Sequence, residues 1–198
     1  MSALKLVTDS TSEPITRLEA KTWLRLEEQE TAEDPLIDSL IILARTRLEE
    51  QTARAFLVKT FDYYLDARPS DLYPIVLPKA PLVSVTSVKG FLLTEGSDSG
   101  GTAMSTSGYY VDTAREFGSV VPLSAFTYPT ATRSINPVVV RFTAGYSSQT
   151  TGIPETVKLE VKQLVARLYE HRGDELEFQK ALQEPTGTIT ELDLPTWG

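Results

Sequence analysis

Ser97-Asp98-Ser99-Gly100-Gly101 and the single histidine, His171, are the residues whose types and spacing come nearest to catalysis in this chain. A serine nucleophile needs a histidine base within hydrogen-bond reach and a buried carboxylate to orient that base. It also needs a rigid surrounding to hold it in place. His171 falls at the expected end of a helix and the serines in a polar loop, so the run reads as a solvated turn. Asp62 and Asp66 share one face of an expected strand, but four strand residues separate them by roughly 13 Å, beyond the spacing of the paired acids of glycoside hydrolysis. Asp98 with Ser97 and Ser99 lacks the spaced acids and closing glutamate of a calcium loop. No Gly-Lys-Ser or Gly-Lys-Thr is present to cradle a phosphate. With no cysteine in the chain, thiolate chemistry, disulfides and Cys-built zinc sites are excluded. Tyr63, Tyr64, Tyr109, Tyr110, Tyr128 and Tyr146 could stack on bases, yet with few basic neighbours they read as core and interface packing. The expectation is no catalytic residue, no metal and no cofactor.

Charge narrows the partners. A formal net charge of -8 over 198 residues and a pI near 4.8 oppose the basic footprint with which proteins grip phosphates. An acidic balance suits a surface that stays soluble before assembly, or a wall past which DNA slides without sticking. No apolar run approaches the roughly 18 residues of a membrane helix, and residues 1–10 lack the basic and apolar segments of a secretory signal. A soluble protein with no membrane partner is expected. A hydrophobic fraction of 41% is enough for one real core.

The elements that must position these residues are punctuated by caps and prolines. Thr16 and Glu19 form a capping box opening a helix over about 15–26, with Leu18, Trp23 and Leu26 on its apolar face. Asp34, as cap, and Pro35 open a second, in which Ile37, Leu40, Ile41, Ala44 and Leu48 recur at helical steps to about residue 53. From Phe56 the period changes to alternation. Strands are expected at 60–67, with Phe61, Tyr63 and Leu65 on one face, and at 75–77, 84–93, 109–112 and 138–143, in an antiparallel sheet because the intervals are too short for crossover helices. Residues 94–108 carry almost no large apolar side chain and read as a mobile hairpin tip. Pro154 opens a third helix, over about 154–171, with Val157, Val161, Leu164, Val165 and Leu168 as its stripe, ending near His171 and Gly173. Residues 174–198 are acidic and interrupted by Pro185 and Pro195, and their apolar residues Leu192, Leu194 and Trp197 show no regular pattern. This reads either as an extended C-terminal arm that orders on a partner or as a frayed terminus whose Trp197 packs back on its own domain. The expected class is therefore α+β: a three-helix bundle packed with a small antiparallel sheet over residues 1–173, a long flexible hairpin loop, and the arm.

The order of the motifs carries a resemblance. Leu18-Glu19-Ala20-Lys21, Leu24-Arg25-Leu26, and Asp34 to Ile41 followed by Ala44-Arg45 look like the N-terminal helical pair of head-to-tail connector (adaptor) proteins of long-tailed double-stranded DNA phages. Leu77-Pro78, Pro81-Leu82, Ser84 to Lys89 and Tyr110-Val111-Asp112 resemble that family's proline-led strand and the next. Val139 to Tyr146, Ile153-Pro154-Glu155 and Leu168-Tyr169-Glu170 with Arg172 resemble its last strand and helix. Ala53 stands where such proteins often have glycine, so helix two is expected to run on or to end without a left-handed cap. The resemblance implies a structural virion protein of the neck, between capsid and tail, waiting in the host cytoplasm before assembly. It implies a closed ring of about twelve copies under the portal protein, extending the DNA channel and docking head-closure or tail proteins. Packaged DNA would pass through the lumen without specific binding. Leu192, Leu194 and Trp197 would then bind the portal or an adjacent subunit. Glu95, Asp98 and Met104 would mark an inter-subunit or lumen loop. A different neck component and a DNA-packaging accessory factor are the alternatives.

Overall fold

The computed structural model describes residues 2–67, 73–98, 100–123 and 132–183. In chain order the elements are β1 (Ala3–Thr8), α1 (Arg17–Leu24), α2 (Asp34–Gln51), β2 (Lys59–Leu65), β3 (Ile75–Val76), β4 (Leu82–Gly90), β5 (Thr102–Ala103), β6 (Tyr109–Asp112), β7 (Ser119–Pro122), β8 (Val138–Ala144), α3 (Glu155–Glu170) and α4 (Glu175–Gln183). They fall into two compact units, Met1–Ser10 with Val58–Gly145 and Thr11–Leu57 with Tyr146–Gly198. The first holds the strands and the second the helices.

In the sheet unit, five antiparallel strands run in the order β1-β2-β8-β4-β5 and a second sheet runs β3-β7-β6. Phe61, Tyr63 and Leu65 do share a face, opposite Phe142, Val140 and Val138 of β8. Phe61 and Phe142 stack at 5.5 Å between centroids. Both β2 and β8 are largely buried along their length, as central strands should be. Instead of one small sheet there are two, and β1, β5 and β7 lie where no strand was expected. β7 carries a proline, Pro122, in its last position, which suits the end of a short strand.

In the helical unit, α1 begins with the expected capping box. The Glu19 N–H donates to Thr16 Oγ1 at 3.1 Å and the Thr16 N–H to Glu19 Oε2 at 2.7 Å. Its buried face is not the expected one: Leu18 and Trp23 are 50% and 45% exposed, and the residues turned inward are Ala20 and Lys21. Buried Lys21 explains the choice. Its ammonium donates to the carbonyls of Glu28 and Glu30 and sits 2.5 Å from Asp34 Oδ1, so the rotation of α1 lets it fasten the connector to α2. Asp34 is likewise not the cap of α2, which is Glu33 without a side-chain bond. The Asp34 carboxylate accepts from Lys21 and Arg17, and these two cations hold its pKa below the ordinary carboxylate value.

A left-handed residue also follows α2, where the helix was expected to run on or to end without one. Helix α2 ends at Gln51, Thr52 caps it, and Ala53 takes φ +52. An alanine there bears the Cβ strain that a glycine would avoid.

The three-helix bundle becomes four helices. Asp174 accepts the N–H groups of Leu176 and Glu177 at the start of α4. Ala181 joins the core with Phe178 and Leu182 against it, so the first nine helical residues after Asp174 are no extended arm. The core itself collects Ile37, Leu40, Leu48, Val161, Leu164 and Leu168, each worth about 1.5–3 kcal/mol when fully buried. No described helix is long and apolar enough to cross a membrane.

Candidate functional site

The hairpin after β4 is built from polar ties rather than apolar packing. The Glu95 carboxylate accepts the backbone N–H groups of Leu92 at 2.6 Å and Gly101 at 2.9 Å. These two bonds hold its pKa below the ordinary value. Gly101 sits at φ +88, and a Cβ there would lie 2.8 Å from the Phe91 ring, so this turn needs glycine twice over. Asp98 accepts from Arg133 Nη2 at 2.7 Å, and the Arg133 guanidinium lies 4.1 Å over Phe91. The Met104 N–H donates to the Val88 carbonyl, and β5 pairs with Lys89 and Gly90 of β4. Glu95, Asp98 and Met104 thus each anchor the hairpin by a different bond. The lack of large apolar residues that suggests a mobile tip does not register a carboxylate that closes the turn on backbone amides.

Beside this hairpin the sheet carries a charged face. Arg141 donates two hydrogen bonds of 2.7 Å to the two Asp62 oxygens, a bidentate pair across β8 and β2. The Asp62 hydrogen bond raises the Arg141 pKa. Tyr64 packs with Phe91 and Val139, and its phenol is raised by burial and then by the Asp62 and Asp98 carboxylates. The Glu95, Asp98 and Asp62 carboxylates each face a backbone amide or a cation. Among the described residues no cluster of His or acids could hold a metal ion.

His171 caps α3, in the helical unit, whereas Ser97 belongs to the sheet unit. Ser99 and Tyr128 lie outside the described residues, as do Leu192, Leu194 and Trp197. Tyr64 and Tyr109 are buried, Tyr110 is exposed, and the Tyr146 hydroxyl accepts from Arg54.

Sequence reasoning missed an edge. Among the described residues β1 pairs with β2 alone, and all six of its residues are exposed, including Leu4, Leu6 and Val7. An exposed apolar edge strand offers unpaired backbone groups to another chain. The alternation of Leu4, Leu6 and Thr8 with Ala3, Lys5 and Val7 was the signal that could have found it.

The fold is similar to chains of gene transfer agent (GTA) particles. A chain in the neck of the empty GTA particle, computed with C6 symmetry, is 23% identical, with a TM-score of 0.72 over 91% of this chain and 93% of that one. A chain in the virion of the native GTA particle is 22% identical, with a TM-score of 0.71 over 94% and 98%. A chain in the neck of the native particle, computed with C12 symmetry, is 21% identical, with a TM-score of 0.58 over 91% and 93%. At these identities the likeness is one of fold. No family model matches the chain, and no curated protein does.

Proposed function

We propose that this chain is a structural protein of the neck of a tailed phage or phage-like particle. In this reading it is the head-to-tail adaptor, a ring under the portal that extends the DNA channel and receives the next neck or tail component. The observation that carries the proposal is likeness of fold over more than nine-tenths of both chains to a component of a GTA particle neck. The motif order over residues 15–172 supports it independently.

The residues fit work done by shape. The charged groups of the sheet face are paired with one another, which suits a rigid block and leaves little for bond-making chemistry. A ring needs two different patches that meet between neighbours. The exposed β1 edge and the hairpin around Glu95, Asp98 and Met104 are the surfaces of the sheet unit available to a second copy. The net charge of -8 suits a channel past which DNA moves without being held. Leu192, Leu194 and Trp197 are assigned to contact with the portal or an adjacent subunit.

Interrupting the reading frame in the genome that encodes the chain tests this. Loss of the adaptor leads to DNA-filled heads and separate tails, seen by electron microscopy. Tailed infectious particles formed without the chain would refute the reading, and empty heads would point instead to a packaging factor.

A further inference from the structure

The geometry points to a seam between copies of this chain: β1 of one copy adds antiparallel to the open side of β4 in the next, so that the copies share one continuous sheet. This inference rests on the reading of the chain as a ring component. The five-stranded sheet has two different ends. At one end, β1 is exposed at all six residues. At the other, β5 pairs with Lys89 and Gly90, and the Met104 N–H donates to the Val88 carbonyl. Among the described residues this leaves the outer side of β4 without a strand over residues 82–87, where Val83 is 51% exposed.

Strand direction selects the partner edge. β1 runs antiparallel to β2, β2 to β8 and β8 to β4, so β1 and β4 point in opposite directions. A second copy set beside the first in the same orientation, as a ring requires, brings its β1 antiparallel to β4. That is the more stable ladder. Pairing β1 with β1 would instead give a two-fold dimer, which closes at two copies and builds no larger ring.

The two edges also match in side chains and in length. The register carries three cross-strand rows from β1 to β4: Leu6, Phe61, Phe142 and Val85 on one face, and on the other Lys5, Asp62, Arg141 and Ser87, then Thr8, Thr60, Thr143 and Ser84. Continued into the next copy, these rows bring Leu6 to Val85, Lys5 to Ser87 and Thr8 to Ser84, apolar to apolar and polar to hydroxyl. Between the two polar rows β2 and β8 use three residues each, 60–62 and 141–143, whereas β1 and β4 use four, 5–8 and 84–87, because the register shifts at Val7 and at Thr86. The irregular edges therefore fit each other, while such irregularities disfavour unmatched strands. Lys5 is the single charged residue of the two stretches, so a chain of net charge -8 meets itself here without opposing like charges.

Thr8 and Ser84 are both exposed and the chain has no cysteine of its own, so T8C/S84C tests the seam by disulfide formation. Within one copy the two positions lie three strand spacings apart, roughly 14 Å, too far for an internal bridge. Particles made with the T8C/S84C chain, oxidised and run on a non-reducing gel, should give a ladder of covalent oligomers. T8C alone and S84C alone should run as monomers, and L6C/V85C, on the opposite face, should give the ladder again. A chain that is present in particles but stays monomeric in both double variants would overturn the seam and leave the neck reading standing. Dimers formed by T8C alone would place β1 against β1 and overturn it too. Absence of the unsubstituted chain from particles would remove the neck reading and the seam together.

Discussion

Of the large apolar side chains left exposed among the described residues, ten lie in the sheet unit, Leu4, Leu6 and Tyr110 among them, and five in the helical unit. The helical unit gathers its aliphatic residues into one continuous core. The sheet unit carries the Asp62–Arg141 pair on one face, with Arg141 half-exposed, and ends in the uncovered strand β1. One unit is finished by its own packing, whereas the other keeps apolar surface that a monomer gains nothing from exposing. The unit with the unfinished surface is the one suited to meet neighbours.

The sharpest way to break this comparison is to cut into each core. Leu164→Ala in the helical unit and Phe142→Ala in the sheet unit remove fully buried side chains and should each cost about 3–5 kcal/mol in urea unfolding. A loss below 1 kcal/mol at either site would mean that the unit does not depend on the core described. The next effect should be smaller. Arg141→Leu leaves the buried Asp62 carboxylate without its bidentate partner, but Arg141 is itself half-exposed and water screens the pair. About 1–2 kcal/mol is expected from the same measurement.

Ala53→Gly should act in the opposite direction. Relief of the left-handed strain, about 1–2 kcal/mol, is offset in part by the greater freedom of glycine in the unfolded chain, about 0.4–1 kcal/mol. A net gain of about 0.5–1 kcal/mol should raise the melting temperature.

The gentlest probe is acid. Asp34 in the helical unit and Glu95 in the sheet unit both have pKa values lowered in the fold, the first by Lys21 and Arg17 and the second by the Leu92 and Gly101 amides. A lowered carboxylate binds fewer protons when folded than when unfolded. Its contribution is therefore complete above the ordinary carboxylate pKa and is lost as pH falls through the folded value. Asp34→Asn and Glu95→Gln should each flatten the acid limb of the stability profile, and an unchanged slope in either would show that its carboxylate is not held as described.

Local chemistry decided what was legible in advance. The Thr16–Glu19 box, the Pro154 start and the alternating face of β2 depend on neighbours within a few residues and appear where the spacing put them, whereas at the Asp34-Pro35 start the cap falls one residue earlier, on Glu33. The rotation of α1 depends on a lysine finding carbonyls seven and nine residues away, which no apolar count detects. Helix α4 was masked by the surrounding acids and prolines, although Phe178, Ala181 and Leu182 keep helical steps. The edge β1 is exposed along its whole length, so no buried stripe sets it apart in the sequence. For the candidate surfaces, the polar character of the hairpin was readable, but its bracing by Glu95 and Arg133 required the fold.

The central claim, that this chain is a ring component of a particle neck, is tested most directly by electron cryomicroscopy of intact particles made by the genome that encodes it. The expected result is a ring between portal and tail whose density, at side-chain resolution, follows the β1-β2-β8-β4-β5 sheet and the four helices with this sequence. A neck complete in every ring, with this chain in none of them, would contradict the account.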